Sequence, residues 1–246
     1  MKKNIIRSVC IFLAISFSSI IWGHQPKDFD QAKKMARAIW NEHRETFYCG
    51  CAYDRHGVIN FDSCSYTPKH KRKDKVIGWE HVVPVSWYGK KLGCWKEDIC
   101  VNKKGKSYRG RNCCRKTDSR FRKMEADLHN LVPIIRDVNF ARGNYHFAEF
   151  HLEEKRDKFY FNQCNVIIDE RYRLIEPRDE IKGMVARINL YMADKYGIDL
   201  GKKQRKLFTD WNSRYAPTKW EKRWNQKVAL ITGELNPYIQ SEGSAE

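Results

Sequence analysis

Eight cysteines between residues 49 and 164, behind an N-terminus that reads as an export segment, constrain this fold more than any other feature. Lys2, Lys3 and Arg7 form a positive start, residues 9–22 are mostly apolar, and Gly23 offers a small residue near a plausible cleavage point. That pattern predicts a signal peptide over residues 1–23. Its apolar run is shorter than the ~20 residues that span a bilayer, so no stable membrane anchor is expected. Cys10 comes ahead of most of that run, which argues against a lipidated cysteine. The other eight cysteines are Cys49, Cys51, Cys64, Cys94, Cys100, Cys113, Cys114 and Cys164. An even number in an exported chain reads as disulfides. The rival is zinc, but zinc sites usually bring a C-x-x-C pair and none is present. Cys113 and Cys114 are adjacent, and Cys49 and Cys51 nearly so; such short loops strain the bond, so each should pair outward. Beyond that the spacing leaves the connectivity open.

Residues 24–246 suit a single domain with a full core. Removing Lys2, Lys3 and Arg7 from the formal +17 leaves about +14. Such an excess points to an anionic partner, nucleic acid or an anionic membrane. Basic stretches at 69–75, 103–111 and 202–206 suit phosphate contacts, which carry no sequence information. Any one of them alone is more often a solvated face. Helical periodicity is expected over 28–46, where Ala32, Met35, Ala36, Ile39 and Trp40 share a side, and over 178–196, which reads as amphipathic. Further helices are expected near 137–150, 202–215 and 217–230. Residues 76–83 read as a strand stopped by Pro84, and 157–175 holds short strand-like runs. Residues 89–123 read as an irregular, basic, cysteine-rich excursion. The fold class is therefore α+β, a mixed fold stapled by disulfides.

Two segments carry chemistry. The first is Trp79-Glu80-His81-Val82-Val83-Pro84; the second is His129-Asn130-Leu131-Val132-Pro133, followed by Asp137-Val138-Asn139. Together they supply a carboxylate, an imidazole and amide oxygens. Cleaving a phosphodiester needs a base to sharpen water, positive charge for the phosphorane and help for the leaving oxygen. His81 suits the base because imidazole titrates near neutrality. Glu80 and Asn139 can hold a metal through oxygen, which favours Mg²⁺, with Mn²⁺ or Ca²⁺ as alternatives, over zinc. Neighbouring strand residues face opposite sides, so Glu80 and His81 could hold metal and base on two sides of one phosphate. Taken singly, a Glu-His pair is more often a surface feature and an Asn before a helix a cap or turn residue. The combination in a basic, exported chain carries the argument.

Glu80-His81-Val82-Val83-Pro84, the run from Met124 through Glu125 and His129-Asn130 to Pro133, and Asp137-Val138-Asn139 with Arg142-Gly143-Asn144-Tyr145 resemble the bacterial endonuclease I family. Trp87, Cys94-Trp95 and Phe47-Tyr48-Cys49-Gly50-Cys51 match it too. The resemblance covers most of the chain after residue 23 and thins after about residue 200. It implies a fold built around a ββα-metal (His-Me finger) motif. It also implies non-specific cleavage of DNA, and often RNA, to 5′-phosphates. Carried over by position, His81 matches the general base, and Glu80 and Asn139 the two protein ligands of the metal. Asn130 matches the residue bracing the loop that carries the base. Arg111 matches an arginine on the cleaved phosphate, with Arg109 and Arg115 as alternatives, and Glu125 matches a residue supporting the site from behind. The resemblance implies Cys51 with Cys64 and Cys49 with Cys164. The Lys103-Lys104-Gly105-Lys106 insertion departs from the family pattern and brings Cys100 and Cys113, which are expected to pair within it, with Cys94 to Cys114 outside.

The reading is a periplasmic or secreted Mg²⁺-dependent endonuclease acting on DNA and RNA through the backbone, and nothing demands a dimer. Two rivals stand beside it: a nucleic-acid-binding module without catalysis, and a cationic membrane-active protein whose helices would set Lys/Arg opposite a bulky apolar face.

Overall fold

The computed structural model describes residues 25–64, 66–68, 75–151, 159–160 and 164–239. The expected signal peptide, most of the 69–75 basic run, part of the 157–175 strand region and the tail after residue 239 lie outside the described residues.

Helix α1 (Phe29–Trp40) is capped by Asp28, whose carboxylate accepts from Gln31 N at 2.8 Å. It buries Ala32, Ala36, Ile39 and Trp40, as the periodicity predicts. It stops short of residue 46 because the next residues are committed elsewhere. Phe47 N donates to Pro133 O at 2.8 Å and Thr46 N to Cys51 O at 2.9 Å, bonds that a continuing helix would forbid.

Strand β1 (Gly78–His81) pairs antiparallel with a later strand, Leu131–Ile134, setting Glu80 opposite Val132 and His81 opposite Leu131. Between them, residues 89–123 are not the irregular excursion expected, and the whole insert is built of short regular elements. These are α2 (Val85–Gly89), α3 (Gly93–Lys96), a small hairpin of β2 (Cys100–Val101) and β3 (Ser107–Tyr108), α4 (Arg111–Thr117), α5 (Ser119–Glu125) and a 3₁₀ turn at Leu128–Asn130. The periodicity was hidden because cysteines act as core. Cys94, Cys100, Cys113 and Cys114 are buried alongside Phe121 and Met124. The disulfides are Cys94–Cys114, Cys100–Cys113, Cys51–Cys64 and Cys49–Cys164, the pairing that the resemblance and the insertion suggested.

The returning strand, β4 (Leu131–Ile134), is buried at every position, and α6 (Arg136–Arg142) follows directly, completing a β-β-α unit. The helix ends at Gly143, whose φ of 55° suits glycine, rather than running on to Phe150. Instead β5 (His146–Phe147) joins β6 (Phe159–Tyr160), β7 (Ile167–Asp169) and β8 (Leu174–Glu176) in a mixed sheet of order β5-β8-β7-β6.

Helices α7 (Asp179–Tyr196), α8 (Gly201–Arg214) and α9 (Lys219–Thr232) close the fold. The amphipathic reading of α7 understates its burial: Lys182, Arg187 and Asn189 are buried with the apolar stripe. The charges survive there because they are paired, Lys182 with Glu176 at 2.7 Å and Arg187 with Glu221 at 2.6 Å. At Gly183 a Cβ would meet Tyr215 O at 2.4 Å, so glycine permits the approach of the chain leaving α8.

Candidate active site

β1 delivers Glu80 and His81 to opposite surroundings, as strand alternation requires. Glu80 faces Tyr48, whose hydroxyl donates to Oε1 at 3.2 Å, and Arg142 on α6, whose Nε lies 3.1 Å from the same oxygen without hydrogen-bond alignment. Arg142 is itself held, donating through Nη2 to Val82 O at 2.6 Å and through Nη1 to Gly143 O at 3.0 Å. The second Glu80 oxygen, Oε2, is buried with no hydrogen-bond partner. Burial pushes the Glu80 carboxyl up to about 7, against the pull of Arg142 and the Tyr48 hydroxyl.

An orphaned carboxylate oxygen in the interior is costly unless a cation meets it. Asn139 lies one turn before Arg142 on α6 and lines a cleft of about 840 Å³ with Phe29, Gly78, Trp79 and Arg136. A carboxylate and an amide are hard oxygen donors, which favour Mg²⁺, Mn²⁺ or Ca²⁺ over zinc. No group of three or more His, Cys, Asp or Glu that could hold a metal occurs among the described residues. One carboxylate and one amide would leave a hard cation with most of its coordination shell as water.

On the other side, the His81 ring packs 4.8 Å from the Phe29 ring, and its Nε2 lies 2.8 Å from the carbonyl oxygen of Glu125. A carbonyl can only accept, so Nε2 carries the proton and Nδ1 keeps a lone pair. Burial, and then the Arg111 charge, lower the imidazole to about 4, opposed by the Glu125 carbonyl and carboxylate. This lowering favours the neutral ring.

The Glu125 carboxylate, buried, receives Arg111 Nε at 2.5 Å and Arg115 Nε at 2.6 Å, both from α4. The two guanidiniums lie 5.1 and 5.2 Å from the Phe29 ring, within cation–π range. Arg111 Nη2 is buried and has no hydrogen-bond partner. Arg109 belongs elsewhere: it donates to Lys96 O at 2.8 Å and lies 3.8 Å from Asp98. Of the three arginines considered from sequence, Arg111 and Arg115 come to His81 and Arg109 does not.

Asn130 is fully buried and spans the turn after His81. Its Oδ1 accepts from Val83 N at 2.7 Å and its Nδ2 donates to Val83 O at 3.0 Å. Its own carbonyl accepts from Val82 N at 3.1 Å. The structure thus gathers His81, Glu125, Arg111 and Arg115 about Phe29, with Glu80 and Asn130 directly behind and Asn139 on the adjoining cleft wall.

Three residues of this group had no role assigned from the sequence. Tyr48 and Arg142 stood inside recognised motifs, but their partner Glu80 is distant along the chain. Phe29 carried a signal that was available: it lies three residues before Ala32, so the apolar face of α1 extends to it.

Comparison with known proteins places the chain in a family. The family model for Endonuclease I matches residues 28–242, beyond the point near residue 200 where the motifs thin. The chain is 36% identical over 248 aligned positions to Endonuclease-1 of Buchnera aphidicola subsp. Baizongia pistaciae, covering 97% of this chain and 96% of that protein. It is 35% identical to an extracellular deoxyribonuclease of Aeromonas hydrophila, covering 87% of this chain and 89% of the relative. A periplasmic deoxyribonuclease of the same organism is 32% identical, over 94% and 92% of the two chains. With a match over nearly all of its described residues and the β-β-α unit in place, the chain belongs to the endonuclease I family.

Proposed function

We propose that this protein is an exported endonuclease that hydrolyses phosphodiester bonds of DNA, and also of RNA, to 5′-phosphate products, with His81 as general base. The carrying observation is the 2.8 Å contact between His81 Nε2 and Glu125 O, which places a proton on Nε2, so that the neutral ring has its lone pair on Nδ1 to take a proton from water. The relatives named as deoxyribonucleases support DNA as substrate. Arg111, whose side chain is partly exposed, is the group offered to a phosphate oxygen. Glu125 holds that arginine and the His81 ring at once, through carboxylate and carbonyl.

Glu80 Oε2 and the Asn139 amide oxygen would hold Mg²⁺, with Mn²⁺ or Ca²⁺ as substitutes. When bound, the cation supplies positive charge for the phosphate and the departing 3′-oxygen. Tyr48 and Arg142 keep Glu80 Oε1 engaged and so aim Oε2 away from themselves.

The membrane-active alternative has little support. The bulky aromatic residues of α8 and α9, Phe208, Trp211, Trp220 and Trp224, are buried in the core. No helix among the described residues is long and apolar enough to cross a membrane. The deciding experiment incubates supercoiled plasmid with the oxidised protein in Mg²⁺ and in EDTA, beside His81→Ala. Cutting that needs both the metal and His81 supports the reading. Cutting indifferent to His81→Ala keeps a nuclease and discards the base. Tight binding with no cutting under any metal makes the protein a binding module.

A further inference from the structure

Phe140 is 91% exposed, on the helix that carries Asn139. The other large apolar side chains that face solvent, Ile99, Val101, Tyr172, Leu230 and Leu235, are between 53% and 67% exposed. Isolated exposed apolar residues are ordinary on protein surfaces, but this one has a particular position. Arg136 and Phe140 are four residues apart on α6, so their side chains are neighbours on one stripe. Arg136 and Asn139 both line the cleft that also holds Lys33, Lys34, Arg37 and Asp30, whose carboxylate pairs with Lys33 at 2.7 Å. Val138 and Arg142 on the same helix are both fully buried, so α6 is fixed, and Phe140, next to Asn139 and four residues after the cleft-lining Arg136, projects into solvent from a rigid base. An aromatic face beside a row of cations suits a nucleic-acid strand, with backbone phosphates on the cations and a base on the ring.

We propose that Phe140 is a base-stacking platform for an unpaired nucleotide next to the one being cut, with Arg136 on the adjoining phosphate. The occupant is a single-stranded segment of the substrate, since a ring projecting into solvent can receive the face of a base only when that base is free of its own stack. Every base offers such a face, so the contact adds affinity without sequence preference. The inference rests on the nuclease reading and names a subsite for its substrate.

The test compares wild type with Phe140→Ala, Phe140→Leu and Phe140→Trp on a fluorescein-labelled single-stranded oligodeoxynucleotide. Binding is read by anisotropy in EDTA and turnover as kcat and KM in Mg²⁺. Stacking on one base predicts roughly 5- to 150-fold weaker binding in the alanine variant, carried mainly by KM. The leucine variant should be similarly impaired and the tryptophan variant should match or exceed wild type. Because the side chain is exposed, thermal unfolding should not change, so loss of folding cannot imitate the result. Phe140→Ala within twofold of wild type overturns the proposal, as does full function with leucine, which is apolar but has no π face. If wild type neither binds nor cuts the oligomer but cuts supercoiled plasmid, the stacking subsite falls and the nuclease reading stands; if it cuts neither, the nuclease reading falls. If wild type does both and the alanine variant is unchanged, only the stacking subsite falls.

Discussion

Asn130→Ala isolates the contribution of one buried amide to the loop behind His81. In the native protein that side chain accepts from Val83 N at 2.7 Å and donates to Val83 O at 3.0 Å, and neither residue has appreciable contact with solvent. Truncation leaves one peptide donor and one acceptor without partners in the interior. Each costs about 1–3 kcal/mol when stranded, so the loss of stability should be about 2–6 kcal/mol. A water entering the vacated volume would bring it toward the lower limit. Asn130→Asp refines the argument. It keeps the acceptor for Val83 N, but sets an anionic oxygen against Val83 O in place of a donor. Its carboxyl pKa in the folded state should therefore be raised. That variant should be most stable below the unfolded-state pKa, where the protonated acid can donate, and should lose stability as pH rises through the raised folded value. Urea unfolding of the oxidised proteins, with unchanged m-values, measures both effects. Plasmid cleavage should fall in parallel, since His81 is two residues before the stapled peptide unit. A loss under about 0.5 kcal/mol for Asn130→Ala, within the range of ordinary surface substitutions, would refute the claim that this amide holds the turn.

Three further outcomes follow from the same coordinates. Asp127, buried and bonded to His129, Lys195 and Tyr196, has its pKa held well below the ordinary carboxylate value by these partners despite burial. Its stabilisation is present above the unfolded-state pKa and lost as pH falls toward the folded one, so Asp127→Asn should flatten the acid limb of a stability–pH curve. Gly183→Ala should cost about 1–3 kcal/mol of unfolding free energy by overpacking against Tyr215 O, although alanine is the better helix former; a stabilised variant would contradict the close approach. Phe29→Ala removes the ring shared by His81, Arg111 and Arg115, and kcat should fall roughly 10- to 100-fold from misplacement of these groups. Equal kcat in that variant would show that they are positioned without it.

Much of the site was legible because its residues are adjacent in the chain. Glu80-His81 is a dipeptide, and Asn130 and Asn139 flank a short apolar strand, so local motifs reveal them. The helices within residues 89–123 escape a sequence reading because the period-3.6 apolar signal is weak where half-cystines fill the interior. Cysteines 94, 100, 113 and 114 look polar and loop-like in sequence, yet they anchor α3, α4 and the β2–β3 hairpin. The choice among Arg109, Arg111 and Arg115 also lay beyond spacing. It depends on which of them reaches the buried Glu125 carboxylate, a contact between separate helices.

The sequence by itself determined the export-type cysteine chemistry, the excess positive charge, the α+β class and the chemical identity of the central groups. Each of these depends on composition, local periodicity or nearest neighbours. Tertiary structure alone decided that His81 presents Nδ1, since the carbonyl fixing its other nitrogen belongs to Glu125, at the end of α5. It also decided that Glu80 keeps one oxygen unpartnered between Tyr48 and Arg142, and that Phe29 floors the site. Tautomer, orphaned oxygen and ring packing are set by partners 32 to 62 positions away in the chain, such as Tyr48 and Arg142 about Glu80. Only the folded arrangement brings such partners within hydrogen-bonding distance.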